Sequence, residues 1–218
     1  MNQKGGSGKS TLAECLAVAA YLDDKATAIL DMDPQGTVYA WSKRREDPDP
    51  VVRSVQIANL EDEWRRLRDA GAEIVFIDTP ARLSDWAMKA AELADLVIVP
   101  SKPTIKDLER VAASIKLANS ESLTPCLVVL NQVRPQSERW QDAEAFIRAK
   151  SYPVCSARFG YRVAYEDSDT LGKTPLETEP SGRAAEEIRM VYQHTITLLH
   201  QITGEKAGRY DTAQEKTA

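Results

Sequence analysis

Residues 4–11 have the sequence Lys4-Gly5-Gly6-Ser7-Gly8-Lys9-Ser10-Thr11, and a segment of helical period follows them directly. Glycines let backbone N–H groups close around phosphate oxygens, and the amino terminus of a helix adds partial positive charge there. The motif therefore predicts a P-loop in which residues 5–11 bind a nucleotide. Lys9 is expected to reach its β- and γ-phosphates, and the Ser10 hydroxyl to be a ligand of Mg²⁺. The alternative is a glycine-rich turn that only leads into a helix, and the order Gly8-Lys9-Ser10 argues against it.

The pattern of apolar residues predicts an α/β fold. Short runs rich in Val, Ile and Leu are typical of buried strands, and they occur at residues 28–30, 74–77, 96–99, 127–130 and 153–155. Segments of helical period lie between these runs, and a last helix is predicted from Arg183 to Ile202. This alternation indicates a mostly parallel, twisted sheet with helices on both of its faces.

The length and composition fit a single domain. The chain has 218 residues, of which 43% are apolar and 28% charged, as in ordinary globular proteins. We expect the domain to cover residues 1–203 and residues 204–218 to form a polar, disordered tail. The apolar runs fall far short of the roughly 20 residues that cross a bilayer, and a secretory signal is absent, so the predicted location is the cytoplasm. Three cysteines, far apart and among apolar neighbours, are predicted to be core residues: Cys15, Cys126 and Cys155.

Carboxylates follow two of the predicted strands. Asp31 and Asp33 come after the first strand, and Asp78 ends the second. Ligands of parallel α/β sheets bind where strands end, and phosphoryl transfer requires charge neutralisation and an oriented water. We expect Asp78 to hold Mg²⁺ through its water shell and Asp31 to support this region. Asp33 is expected to belong to the same metal site and to orient or accept a proton from the attacking water. The alternative is that Asp31 and Asp33 only cap the loop after a strand.

A second lysine stands ahead of the glycines, and Gln3 occupies the position of the general motif's first glycine. Residues 4–10 thereby resemble the deviant Walker A motif of the ParA/MinD family of ATPases. Further segments similar to that family are residues 29–36, 74–80, 99–108, 128–133 and 162–177. The resemblance covers nearly the whole chain, and the length is similar to that of small plasmid-partition ATPases without an amino-terminal helix-turn-helix domain.

The resemblance implies that the cofactors are ATP and Mg²⁺ and that ATP produces a homodimer. In this family the lysine matching Lys4 reaches across the dimer to the partner's phosphates, and the asparagine matching Asn131 bonds to the edge of adenine. An asparagine that only ends a strand is the alternative for Asn131. Hydrolysis is expected to be slow alone and faster with a ParB-like or other small centromere-binding protein.

Partition of a plasmid or chromosome is the expected task, with non-specific DNA binding in the ATP state and association with the nucleoid. A net charge of −5 excludes a surface covered in basic residues, so DNA contacts would come from cations brought together in the dimer. The candidates are Arg134, Arg139, Arg158, Arg162, Lys173, Arg183 and Arg189. A membrane partner is not expected, because the carboxyl-terminal residues lack a basic amphipathic helix. Alternatives that share this core are positioning of a non-DNA cargo, a MinD-like division-site ATPase and an ATP-dependent ligase or synthetase.

A buried strand usually precedes a P-loop, yet only Met1, Asn2 and Gln3 precede Lys4. Removing such a central strand should cost many kcal/mol of hydrophobic burial. That loss is larger than the whole stability of a typical domain, which is roughly 5–15 kcal/mol. We therefore expect the natural protein to begin several residues upstream and to supply the first strand from there.

Overall fold

The computed structural model describes residues 6–80, 85–121 and 124–215. Within them the strands are β1 Thr27–Asp31, β2 Val51–Ser54, β3 Ile74–Asp78, β4 Val97–Ser101, β5 Cys126–Val133 and β6 Val154–Gly160. The helices are α1 Lys9–Tyr21, α2 Thr37–Ser42, α3 Leu60–Asp69, α4 Asp85–Leu93, α5 Ile105–Glu121, α6 Arg139–Ala149, α7 Val163–Thr170, α8 Pro175–Thr178 and α9 Arg183–Glu215. The predicted α/β class is confirmed.

The strands form two three-stranded parallel sheets, with the orders β2-β1-β3 and β4-β5-β6. The predicted parallel pairing is therefore confirmed, although one sheet was expected and two are present among the described residues. Helix α1 packs against β1 and β3 of the first sheet and against β4 of the second. Strand β2 was not predicted, because a run of four residues is too short for its pattern of apolar and polar residues to distinguish it from a loop.

Helices cover both faces of the sheets, as the sequence predicted. Along β5, Leu127 and Val129 pack into a core with α1 and α9, whereas Val128 and Leu130 pack into a second core with α5 and α6. Successive residues of a strand point to opposite faces, so a continuous apolar run is the consequence of burial on both sides. The three cysteines are free and buried, as expected of core residues. None of the helices in the described part of the chain is long and apolar enough to cross a membrane.

The last helix continues to Glu215, so its predicted end at Ile202 is wrong. The residues after Gly204 are mostly good helix formers, and Gly204 and Gly208 do not stop the helix although each costs about 1 kcal/mol relative to alanine. The boundary of the ATPase domain at residue 203 stays a prediction.

The segment after α2 is fixed by Arg45, which lies almost entirely out of solvent. Its guanidinium pairs with Glu177 at 3.0 Å and donates to the carbonyl oxygens of Asp49 and Gly172 at 2.7 and 2.9 Å. It also stacks over the ring of Trp41, which is fully buried. Trp41 and Arg45 thereby join α2 to the loop before α8.

Gly172 permits this junction, and its replacement tests it. Its φ is +65°, and a Cβ there would lie 2.6 Å from the backbone of Arg44 and Arg45. We expect Gly172→Ala to lower the free energy of unfolding by about 2–4 kcal/mol, through the left-handed backbone and the backbone clash together. Gly36→Ala is the matched control, because Gly36 has φ +60° and open space around it, so it should lose only about 1 kcal/mol. Urea unfolding of both variants measures the difference, and equal losses would contradict the clash.

Candidate nucleotide-binding site

The P-loop enters α1 through Gly8, whose backbone has a left-handed φ of 86°. A Cβ at this position would lie 2.0 Å from the side-chain nitrogen of Asn131 at the end of β5. Both the backbone conformation and the lack of space therefore require glycine at residue 8. This is the close approach of loop and neighbouring side chains that a phosphate cradle needs.

Two amides at the end of β5 hold the loop in place. Asn131 is buried, and its Nδ2 donates to the carbonyl oxygen of Ser7 at 2.7 Å while its Oδ1 accepts from the N–H of Gln132 at 2.7 Å. Gln132 Nε2 in turn donates to the carbonyl oxygen of Gly6 at 3.2 Å. Turning these carbonyls toward β5 leaves the loop's N–H groups to face an anion.

Asn131 thus holds the P-loop in position, a role that the sequence did not indicate. Its expected contact with adenine stays a prediction. Gln132 was missed altogether. Its φ of 52° is unusual for a residue other than glycine and marks a strained position of the kind that clusters at functional sites. A pattern of residue types carries no sign of such a backbone angle.

The P-loop is joined to β3 by one hydrogen bond between predicted metal ligands. The Ser10 hydroxyl, in the first turn of α1, donates to Asp78 Oδ2 at 2.7 Å. Asp78 is 2% exposed and ends β3 beside Asp31, with which it is in register. The two sequence motifs, 68 residues apart, therefore meet at one point.

The charges around the Ser10–Asp78 hydrogen bond favour the binding of a cation. Burial, together with the neighbouring carboxylates of Asp31 and Asp33, raises the pKa of Asp78 to about 6, against the hydrogen bond from Ser10. Lys9, the first residue of α1, acts in the opposite direction. Two buried carboxylates with a half-buried third beside them carry an electrostatic cost that a divalent cation would offset.

Asp31 and Asp33 are arranged differently. Asp31 is buried and accepts hydrogen bonds from the backbone N–H of Asp33 at 3.0 Å and of Tyr39 at 2.9 Å. Burial raises its pKa, and these hydrogen bonds lower it. Asp33 is half-buried, and one of its oxygens accepts the N–H of Gln35 at 2.9 Å. Asp31 is thus a support for the loop, and Asp33 is the acid with room for a ligand.

The donors fit magnesium only in combination with phosphate. Among the described residues no group of three or more His, Cys, Asp or Glu side chains could hold a metal ion. Mg²⁺ is commonly held by one or two protein oxygens together with substrate phosphates and waters, and the pair of Ser10 and Asp78 beside a phosphate cradle matches that arrangement. Of the other predicted site residues, Thr11 lies in the first turn of α1, whereas Lys4 and Gly5 lie outside the described residues.

One buried acid near the site was not foreseen. Glu14, on the second turn of α1, is 5% exposed, and its Oε1 has no hydrogen-bond partner among the described residues. Burial, and secondarily Asp169 and Asp78, raise the pKa of this carboxyl well above its ordinary value. Helical periodicity assigns Leu12, Cys15, Leu16 and Ala19 to the apolar face of this helix and gives no sign that Glu14 is buried too.

Comparison with known proteins agrees with this geometry. Residues 1–176 match the family described as the CobQ/CobB/MinD/ParA nucleotide binding domain. The chain belongs to this family. It is 28% identical over 204 residues to the maintenance of carboxysome distribution protein A of Gloeobacter kilaueensis, covering 91% of each chain. It is 25% identical to the chromosome-partitioning ATPase Soj of Thermus thermophilus, covering 92% of this chain and 95% of Soj.

The fold is also that of solved members of this family. The septum site-determining protein MinD of Pyrococcus horikoshii, in complex with Mg-ADP, superposes with a TM-score of 0.67 at 19% identity. The match covers 91% of this chain and 95% of MinD. At this identity the superposition supports the fold alone, and it agrees with the predicted P-loop architecture.

The buried charge of Asp78 predicts a pH-dependent gain in stability when it is removed. Its folded pKa of about 6 lies above the ordinary 3.8, so the charged carboxylate destabilises the fold above about pH 6. This cost is lost as the pH falls toward about 4, because the folded protein takes up the proton there. We expect nucleotide-free Asp78→Asn to melt a few degrees above wild type at about pH 8, with little difference at about pH 4. Thermal unfolding at both pH values is the measurement.

Asp167→Asn is the control for that prediction, because Asp167 is exposed on α7. Its melting temperature should follow wild type at both pH values. An Asp78→Asn protein that is less stable than wild type at about pH 8 would contradict the cost assigned to the buried carboxylate.

Proposed function

We propose that this protein is an ATP-hydrolysing switch that dimerises with ATP and segregates a plasmid or chromosome. The observation that carries the nucleotide part is the 2.7 Å hydrogen bond between Ser10 and Asp78 beside the glycine loop. It brings a hydroxyl and a carboxylate to one point at the amino terminus of α1, where Mg²⁺ and a triphosphate are bound together in P-loop proteins. Membership of a nucleotide-binding family supports the same proposal.

Different residues of the site take different roles in the proposed ATP hydrolysis. Mg²⁺, when bound, would neutralise charge on the β- and γ-phosphates. Lys9 binds the same phosphates from the start of α1, and Ser10 and Asp78 hold the metal side. Asp33 orients the attacking water and takes up its proton, and the half-buried position of its carboxylate supports this role. Asp31 keeps Asp33 in place through the backbone N–H that it accepts.

Dimerisation follows from charge. A bound triphosphate adds more negative charge than Lys9 alone neutralises, and the family resemblance assigns the remaining neutralisation to Lys4 of a second protomer. ATP thereby favours the dimer, and hydrolysis releases it, so the nucleotide sets the lifetime of the assembly. Slow turnover alone and acceleration by a centromere-binding partner are part of this proposal.

The contacts of the basic residues narrow the proposed DNA surface. Arg162 pairs with Glu187 at 2.5 Å, and Arg158 stacks on the ring of Trp140. Lys173 is 3.8 Å from Glu46. The other four candidates are exposed, and none of the ion pairs among the described residues includes them: Arg134, Arg139, Arg183 and Arg189. Exposed cations without an ion pair are available for phosphate contacts, which favours the start of α9 for non-specific DNA binding.

Positioning of a cargo other than DNA is the second candidate. The relative from Gloeobacter kilaueensis is named for carboxysome distribution and matches over 91% of the chain. Both candidates use the same ATP cycle, and they differ in what the partner protein recognises. An ATP-dependent interaction with DNA does not by itself separate the two candidates, because it does not identify the partner protein. The identity of a partner protein encoded nearby would separate the two candidates.

The ATP switch predicts three distinct variant phenotypes. Lys9→Ala should abolish binding of MgATP, because it removes the ammonium that meets the phosphates. Lys4→Ala should retain binding but lose dimerisation and hydrolysis, and Asp33→Ala should accumulate an ATP-bound dimer that does not turn over. Light scattering with and without MgATP, together with phosphate release, measures all three. Equal loss of ATP affinity in Lys4→Ala and Lys9→Ala, or an Asp33→Ala protein that stays monomeric, would contradict the assignment.

Non-specific DNA binding should depend on ATP, salt and Arg189. We expect retention on a DNA of arbitrary sequence only with MgATP, with weaker binding at the higher of two salt concentrations. Arg189→Glu should reduce retention about tenfold or more, whereas Lys116→Glu should not, because exposed Lys116 lies on α5 in the layer opposite α9. Arg162→Glu is unsuitable, since it would break the pair with Glu187. If wild type is not retained with ATP, the second candidate is favoured.

A further inference from the structure

One cation at the site has no role in the cycle described so far. Lys102 follows β4, and a Cβ added to Gly6 of the P-loop would lie 3.5 Å from its ammonium nitrogen. The side chain therefore extends over the amino-terminal half of the loop, while Lys9 lies at the other end, in α1. Strand β4 pairs with β5, which carries Asn131 near its end.

The backbone of Lys102 is fixed by its neighbours. Its carbonyl oxygen accepts the N–H of Thr104 at 2.8 Å and the hydroxyl of buried Ser101 at 3.1 Å. Pro103 follows and restricts the preceding residue to an extended conformation. The lysine thus leaves a rigid turn, which lowers the entropy lost when its ammonium binds a ligand.

The charge of Lys102 is not used within the described part of the protein. None of the ion pairs among those residues includes it, although eleven other Lys and Arg side chains form such pairs. The side chain is only partly exposed, so its cation is less well hydrated than that of a surface lysine. A partly desolvated ammonium beside loop N–H groups is suited to a multiply charged anion.

We propose that Lys102 is a phosphate-binding residue of this site, contacting the nucleotide's phosphate oxygens from its own protomer. The inference rests on the proposed nucleotide site and adds to it a cation outside the P-loop motif. Gln132 supports the geometry, because it holds the Gly6 carbonyl and so keeps this part of the loop within reach of Lys102. The charge-assisted contact should supply about tenfold in affinity.

The test compares Lys102→Met with wild type, using fluorescent analogues of ATP and ADP in the presence of Mg²⁺. We expect affinity for both nucleotides to fall about tenfold in Lys102→Met and to stay near wild type in Lys102→Arg. Lys106→Met is the matched control, because Lys106 is an exposed lysine four residues away and should bind as wild type does. The loss should shrink at high salt, where charge contacts are screened. Melting without nucleotide should be unchanged, which separates a binding role from a structural one.

Three results would overturn the inference. The first is a Lys102→Met protein with wild-type affinity, and the second is an equal loss in Lys106→Met. The third is a loss that disappears when the protein is diluted below its dimerisation range, since the contact would then come from the second protomer. A wild-type protein with no affinity for MgATP would remove the proposed function as well, and that result is distinct from all three.

Discussion

The burial of α1 is the constraint on which the rest of the structure depends. Residues 14–20 of this helix are all buried, and it packs against strands of both sheets and against α9. A helix enclosed on every side cannot shift or rotate without disturbing the core. Its amino terminus, with the P-loop, Lys9 and Ser10, is therefore held at a fixed point relative to the ends of β1, β3, β4 and β5.

Side chains of opposite charge lie close together at the amino terminus of α1. Asp31, Asp33 and Asp78 approach it from the first sheet, and Lys9 and Lys102 approach it from α1 and β4. Burial raises the pKa of Asp78 and Asp31, so the site is unfavourable for the isolated fold and suited to a cation. A cost of this kind is typical of functional sites. Their side chains are placed to bind a ligand, and this placement lowers the stability of the ligand-free protein. The buried Glu14 carboxyl, whose Oε1 has no hydrogen-bond partner in the described part of the chain, belongs to the same pattern.

The junction of α2 with the loop before α8 has a related consequence. Arg45, buried against Trp41 and Glu177, anchors the end of the segment that begins with Asp31 and Asp33. Movement of that segment would have to break a buried ion pair, and breaking such a pair by removing one partner costs about 3–5 kcal/mol. The end of this segment at Arg45 is therefore held firmly in place.

The sequence alone determined the fold class, the parallel strands and the P-loop, because burial on two faces and a glycine-rich loop before a helix leave strong local patterns. It also named the residues that meet at the site, Ser10 and Asp78 above all. It did not determine β2, the extent of α9, the division of the strands between two sheets, or the role of Arg45. Nor did it indicate that Asn131, Gln132 and Lys102 converge on the P-loop. The role of Arg45 and the convergence on the P-loop depend on contacts between residues far apart in the sequence, and only the tertiary structure decides which distant side chains become neighbours.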